Sequence, residues 1–200
     1  LEGGIGVLEI PGFHRQVEQD LSIHLSRLNR ESNGLKGLIL DLRHNPGGYL
    51  NQAIAVADKF LWQGDIVSTT IGAYGDGLDT VSSDASAESK YPVVVLVNAY
   101  SASASEIVAG ALRNNGRAIV IGERTFGKGS VQNLYSLNSG AKLKMTISQY
   151  LTPNEKSIQS VGIPADVELL PAVIVEKSDE QASRAHFFHR EWVERESDLD

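Results

Sequence analysis

Val93-Val-Val-Leu-Val97 is an apolar run with no alternation, the pattern of a strand buried on both faces. Leu35 to Leu42 is a second nearly continuous apolar run, with Asp41 near its end. Such strands belong to a sheet packed between layers, so the chain reads as α/β. The connecting segments read as helices. Between Val17 and Asn29, Leu21, Leu25 and Leu28 share one face at i, i+4, i+7, and Asn33-Gly34 ends the helix. A second helix is expected from Leu50 to Leu61, with Ala53, Ala57 and Phe60 on its apolar side. A third runs from Ser101-Ala-Ser-Ala-Ser105 to Arg113 and stops at Asn114-Asn-Gly116.

Further strands are expected at Gly6–Ile10, Ile66–Ile71, Ala118–Ile121, Ser130–Leu137 and Lys142–Leu151. In the last, Leu143, Met145, Ile147 and Gln149 alternate as in a half-exposed antiparallel strand. Gly72 to Lys90 is polar and rich in Gly and Ser, a length more typical of a substrate-covering loop or hairpin than of a plain connection. The tail differs in kind: from Glu176 to Asp200 there are eight acidic and four basic residues. Ala185, Phe188 and Trp192 fall on one helical face, so a helix is expected there, docked on the body or on a partner. The expected division is a core domain over 1–171 and a charged tail over 172–200.

Two hundred residues suffice for one real core, and 42% hydrophobic with 22% charged residues is ordinary for a soluble globular protein. The formal charge of −7 argues against a nucleic-acid partner, which a basic face would serve. No cysteine is present, which removes disulfides, thiolate metal sites and thiol catalysis. No apolar run reaches the ~20 residues a membrane span needs. The chain starts without Met or a signal peptide and reads as a mature product or an excised piece.

Gly122-Glu-Arg-Thr-Phe-Gly-Lys128 fits a phosphate-binding loop after a strand, and Leu38-Ile-Leu-Asp41 resembles its metal-holding partner. Against a nucleotide site, Gly129 stands where a metal-binding hydroxyl belongs. Val131 to Leu137 also lacks the helical stripe that must present its N-terminus to an anion. The serine run offers other chemistry. It sits where a buried strand turns into a helix, a placement that exposes a nucleophilic hydroxyl beside a free backbone N–H. Any of these serines could equally be a helix cap. The base is less obvious. Of the five histidines, which include His14, His24 lies on a polar helix face and His186 and His189 belong to the tail; only His44, before Pro46, is near the expected chemistry. A Ser–His–Asp triad stays open, and Lys128, between two glycines and beside Phe126, is the alternative base.

Taken together these stretches resemble the C-terminal processing peptidases, or tail-specific proteases, which are serine–lysine endopeptidases. The matching segments are Gly37-Leu-Ile-Leu-Asp-Leu-Arg-His-Asn-Pro-Gly-Gly48, Val94–Asn98, Ser101–Ile107, Gly122–Gln132, Gln149–Pro153 and Val161–Asp166, in the family order. The resemblance implies a ClpP/crotonase-like α/β core of mixed sheet flanked by helices. It implies Ser103 as nucleophile, Lys128 as general base, Gln132 as the residue orienting the lysine, and the N–H groups of Gly48 and Ala104 as the oxyanion hole. It calls for no cofactor and no metal. Substrates would be proteins or peptides with accessible C-termini, in an extracytoplasmic compartment such as the bacterial periplasm, and a homo-oligomer is left open. Because the base must be an uncharged amine, neither Glu106 nor Glu123 is expected to pair with Lys128. Two departures stand out. Asn114 replaces an Asp that some members carry, and the PDZ domain usual before the strand near Gly6 has no counterpart here. A resting or inactive member acting as a binding or assembly module is therefore the alternative.

Overall fold

Five parallel strands form the platform on which the loops of interest are mounted. The computed structural model describes residues 3–72, 77–84, 90–153, 157–169, 172–175 and 184–187. Along the chain come β1 (Ile5–Glu9), α1 (Val17–Glu31), β2 (Gly37–Asp41), α2 (Leu50–Asp58), β3 (Ile66–Gly72), β4 (Leu78–Ser82) and β5 (Val93–Val97). Then follow α3 (Ala104–Asn114), β6 (Ala118–Gly122), β7 (Ser130–Ser136), β8 (Lys142–Leu151), β9 (Val167–Glu168), β10 (Ala172–Val175) and β11 (Arg184–Phe187). The parallel sheet has the order β1-β2-β5-β6-β9. A second, antiparallel sheet has the order β4-β3-β8-β7. The fold is thus mixed α/β, with parallel and antiparallel sheets and flanking helices, as the resemblance implied.

Register explains the apolar runs. Leu40 pairs with Val95 and Val95 with Val120, and all three side chains are fully buried on the helix side. The next row, Val7–Ile39–Val94–Ile119, points the other way, and its ends Val7 and Ile119 are more than half exposed. Burial on both faces therefore holds for one face only among the described residues. An unalternating run shows that a face is apolar, not what packs on it. Helix α3 is the central element: Ala104 through Leu112 are all buried, between the sheet, α2 and β3. Its small residues permit this close approach, with Gly110 set directly against Ile163.

The polar Gly72–Lys90 segment turns back as a hairpin, with β4 antiparallel to β3; residues 73–76 and 85–89 lie outside the described residues. β8 is antiparallel as expected, but with β7 it forms a ribbon exposed on both faces near its tip, Leu143 and Lys144 alike. The tail reading needs correction. Arg184–Phe187, which contains Ala185, is a strand antiparallel to Ala172–Val175, while Phe188 and Trp192 lie outside the described residues. The physical reason is in the partner: Val173-Ile-Val175 is β-branched and favours an extended strand, and pairing overrides a helical spacing read from three residues.

Candidate active site

Strands β2, β5 and β6 are neighbours and parallel, so their carboxyl ends deliver three loops to one edge of the sheet. In open α/β sheets this edge is where ligands bind. The three loops are 42–49, 98–103 and 123–129.

Asn45 organises the first loop. It is fully buried; its Nδ2 donates to Ile10 O at 2.6 Å and its Oδ1 accepts from Gly47 N at 2.8 Å. Its carbonyl takes the Ala102 N–H at 3.0 Å and the Ser105 hydroxyl at 2.9 Å, tying this loop to the serine run. Gly47 and Gly48 follow at φ 101° and 145°. A Cβ on Gly47 would stand 2.8 Å from Ser103 Cβ and 3.0 Å from Ala104 N; one on Gly48 would stand 2.3 Å from Phe13 O. The Phe13 N–H donates to Gly47 O and the Tyr49 N–H to Phe13 O, which skips Gly48. Among the described residues the N–H groups of Gly48 and Ala104 have no acceptor. Gly48→Ala is expected to lower stability by more than about 1 kcal/mol in chemical denaturation, because a side chain fits neither the φ nor the space.

The second loop sorts the serines. Ser101 and Ser105 are fully buried, and their hydroxyls donate to Leu42 O and Asn45 O. Ser103 is half-buried and sits at φ 55°, ψ −114°, left-handed for a residue with a side chain. Such strain costs about 1–3 kcal/mol and persists only where the surroundings impose it. Here they do: the Ser103 N–H is held by Glu106 Oε2 at 2.8 Å, half of a capping box. His44 turns away to stack on Tyr100 at 5.5 Å, with its ring against Asn98 Nδ2, and His14 faces Asp20. His189 lies outside the described residues.

Glu106 also organises the third loop. This carboxylate is fully buried and accepts four donors: Thr125 Oγ1 at 2.6 Å, and the N–H groups of Gly127, Lys128 and Ser103, each at 2.8 Å. Burial pushes its carboxyl up from the ordinary glutamate value, and the four hydrogen bonds, that of Thr125 foremost, only partly oppose the rise. The glycine-rich loop thus spends its N–H groups on an internal carboxylate and runs into a strand, β7, rather than a helix. That is not how a phosphate is held. Thr125 is pinned in turn by its hydrogen bonds with Ile163.

Ser103 and Lys128 are therefore brought together through their main chains and one shared carboxylate. Among the described residues their side chains are not hydrogen-bonded to each other, and neither Glu106 nor Glu123 forms an ion pair with the half-buried Lys128 amine. Gln132 is exposed on β7, opposite Thr146. Asn114 closes α3, roughly 16 Å along the helix from Ser103, so its departure from the family does not reach this cluster directly. The structural roles of Asn45, Glu106 and Thr125 escaped the sequence reading. The spacing Ser103-x-x-Glu106 was the available signal for Glu106, since it is a capping-box pattern.

A half-buried serine on a strained strand-to-helix turn, with two unpaired backbone donors close by in the chain, is the layout of acyl-transfer hydrolases. Residues 4–169 match the family model for Peptidase family S41, and the chain belongs to that family. It is 43% identical over 169 residues to the carboxy-terminal-processing protease of Bartonella bacilliformis, covering 84% of this chain and 39% of that protein. With the carboxyl-terminal-processing protease of Synechocystis it shares 40% over 162 residues, 81% of this chain and 37% of that one. Among solved structures, the photosystem II D1 C-terminal processing protease superposes with a TM-score of 0.73 at 32% identity, over 84% of this chain and 44% of that chain. The chain thus spans less than half the length of these relatives.

Proposed function

We propose that this domain is a serine endopeptidase that processes proteins near their C-termini through an acyl-enzyme. Ser103 is the nucleophile, Lys128 its general base, and the Gly48 and Ala104 N–H groups bind the oxyanion. Lys128, unprotonated, takes the Ser103 proton as Oγ attacks the peptide carbonyl. The lysine then protonates the leaving amine, and water attacks the ester to free the new C-terminus. Gln132, exposed on β7, is given the role of orienting the amine on the strength of the family resemblance alone. The observation that carries this reading is Glu106, whose one buried carboxylate grips the main chain of Ser103 and of Lys128 together. A structural serine and a surface lysine need no such common anchor.

The relatives' names supply the C-terminal direction of processing, and an extracytoplasmic site of action is proposed with it; some relatives are named as chloroplastic. No helix among the described residues is long and apolar enough to cross a membrane. The second reading is a resting form, favoured by the missing Ser103–Lys128 hydrogen bond; catalytic contacts often tighten only when substrate binds. A fluorophosphonate probe separates the two. Stoichiometric labelling at Ser103, mapped by peptide mass, is expected of the competent enzyme. Labelling that appears only after a peptide substrate is added identifies the resting form, and none under either condition removes the nucleophile.

A further inference from the structure

Between Asn98 and Ser105 only Tyr100 and Ser103 reach the surface; the other residues of that stretch are buried. Tyr100 is 51% exposed, and its ring stacks on that of the exposed His44, with centroids 5.5 Å apart and planes 23° from parallel. Buried Asn98 holds both residues by their main chains. Its Oδ1 accepts the His44 N–H at 2.9 Å and the Tyr100 N–H at 3.2 Å. Its Nδ2 lies 3.1 Å from His44 Nε2 and so fixes the imidazole as well. The two loops are therefore joined without the help of the stacked rings. His44 also sits at φ 61°, a conformation that glycine adopts at no steric cost. A ring kept on a left-handed backbone points to a use for the ring.

Position gives the pair its meaning. Gly47 abuts Ser103, since a Cβ on Gly47 would stand 2.8 Å from Ser103 Cβ, and the Asn45 carbonyl takes the Ala102 N–H at 3.0 Å. Loops 42–49 and 98–103 thus run side by side. His44 lies three residues from Gly47 and Tyr100 three residues from Ser103, so the stack marks the other end of the same contact. Three residues of chain span at most about 11 Å, which bounds the distance from Tyr100 to Ser103, Cα to Cα. A peptide held at Ser103 advances about 3.3 Å per residue, so its residues two or three from the scissile bond lie at the distance of the stack.

We propose that the His44–Tyr100 stack is a specificity platform for an aromatic side chain of the substrate, two or three residues from the scissile bond. The inference rests on the acyl-transfer reading for where that bond lies. Two fixed rings offer flat, weakly polar surface, which a third ring covers by offset stacking or edge-to-face contact at little entropic cost to the protein. A cationic side chain finds less here. Asp41, the acid nearest His44 in sequence, is bound by the Arg43 guanidinium at 2.6 to 3.1 Å and is not open to a second cation. Tyr100 and His44 are thus read as residues that choose the substrate, not as residues that perform the reaction.

The test uses the full chain and unstructured peptides of one sequence, in which Phe, Ser or Lys is scanned through three positions on each side of one fixed bond. At one position two or three residues from that bond, kcat/KM for Phe is expected to exceed that for Ser by about fivefold, within the range of one aromatic contact, with Lys no better than Ser. Tyr100→Ala should bring the Phe/Ser ratio there close to one. His44→Gly, which suits φ 61°, should lower it too, while Tyr100→Phe should keep it. A merely structural stack would slow all peptides together and leave the ratio intact. That result, a parent without a Phe preference, or a preference for Lys overturns the platform. The same peptides, labelled, are bound to the Ser103→Ala chain and ranked by fluorescence anisotropy. A Phe preference in binding that Tyr100→Ala removes, with no hydrolysis or probe labelling by the parent, keeps the platform and removes the acyl-transfer reading. Hydrolysis with a ratio that Tyr100→Ala does not move does the opposite.

Discussion

Ser103→Ala and Lys128→Ala should each lower hydrolysis of an unstructured peptide with an apolar C-terminus by at least roughly a thousandfold. Both variants should melt within a few degrees of the parent. The scaffold predicts that combination. Glu106 holds Ser103 and Lys128 by their N–H groups, so truncating either side chain leaves the anchoring bonds in place. Neither side chain is buried in the core; the Ser103 hydroxyl accepts from the Glu106 N–H in the capping box, a cap whose loss costs about 1 kcal/mol, and Lys128 Nζ makes no hydrogen bond among the described residues. Two further variants separate a proton-accepting lysine from a merely positive one. Lys128→Arg keeps the charge but cannot give up its proton, and should be as inactive as the alanine variant. The double Ser103→Ala, Lys128→Ala protein should be no worse than either single one, because the pair acts as a unit. Steady-state rates and a melting curve for each protein decide it, and appreciable turnover by Lys128→Arg would end the lysine's role as base.

What could be read in advance follows from which interactions are local. Strands β2, β5 and β6 announce themselves because their side chains report apolar burial directly, and α1 because Leu21, Leu25 and Leu28 repeat at helical spacing. The glycine pair was legible for a similar reason: at φ 101° and 145° Gly47 and Gly48 have no ready substitute. The parts that escaped depend on partners distant along the chain. Nothing near Asn45 says that its side chain reaches Ile10, or that its carbonyl meets Ala102 and Ser105. Glu106 could be read as half of a cap from local spacing, but its hold on Thr125, Gly127 and Lys128 exists only once β6 lies beside β5. From sequence it looked like a threat to a neutral lysine. In the fold its oxygens are filled by other donors, and it forms no ion pair with the Lys128 amine. The tail misled for the complementary reason: a few residues at helical spacing cannot outvote a β-branched partner strand.

Glu106→Gln is expected to reduce kcat by roughly a hundredfold, the scale of an ångström-sized displacement of catalytic groups, while KM changes little. The carboxylate presents both oxygens to two donors each: Thr125 and Gly127 on Oε1, Ser103 and Lys128 on Oε2. An amide turns an NH2 toward one of those pairs, leaving two buried donors unsatisfied at about 1–3 kcal/mol each. Either orientation frees a segment: the strained Ser103 turn with Lys128, or the Thr125–Gly127 bend that leads to it. A purely structural role would lower stability alone, whereas a positioning role lowers kcat in molecules that remain folded. The pH dependence adds an independent check. Burial raises the Glu106 carboxyl above its unfolded value, so between the two values the folded state binds more protons than the unfolded one. The stability this group contributes is therefore complete below the unfolded value and declines as pH rises through the folded one. Glu106→Gln has no such titration, so its stability deficit should shrink as pH rises from the ordinary glutamate range of about 4.3 toward neutrality. Denaturation curves for both proteins across that window read the difference directly. A deficit that widens with pH would mean that the four donors outweigh burial and hold the carboxyl down.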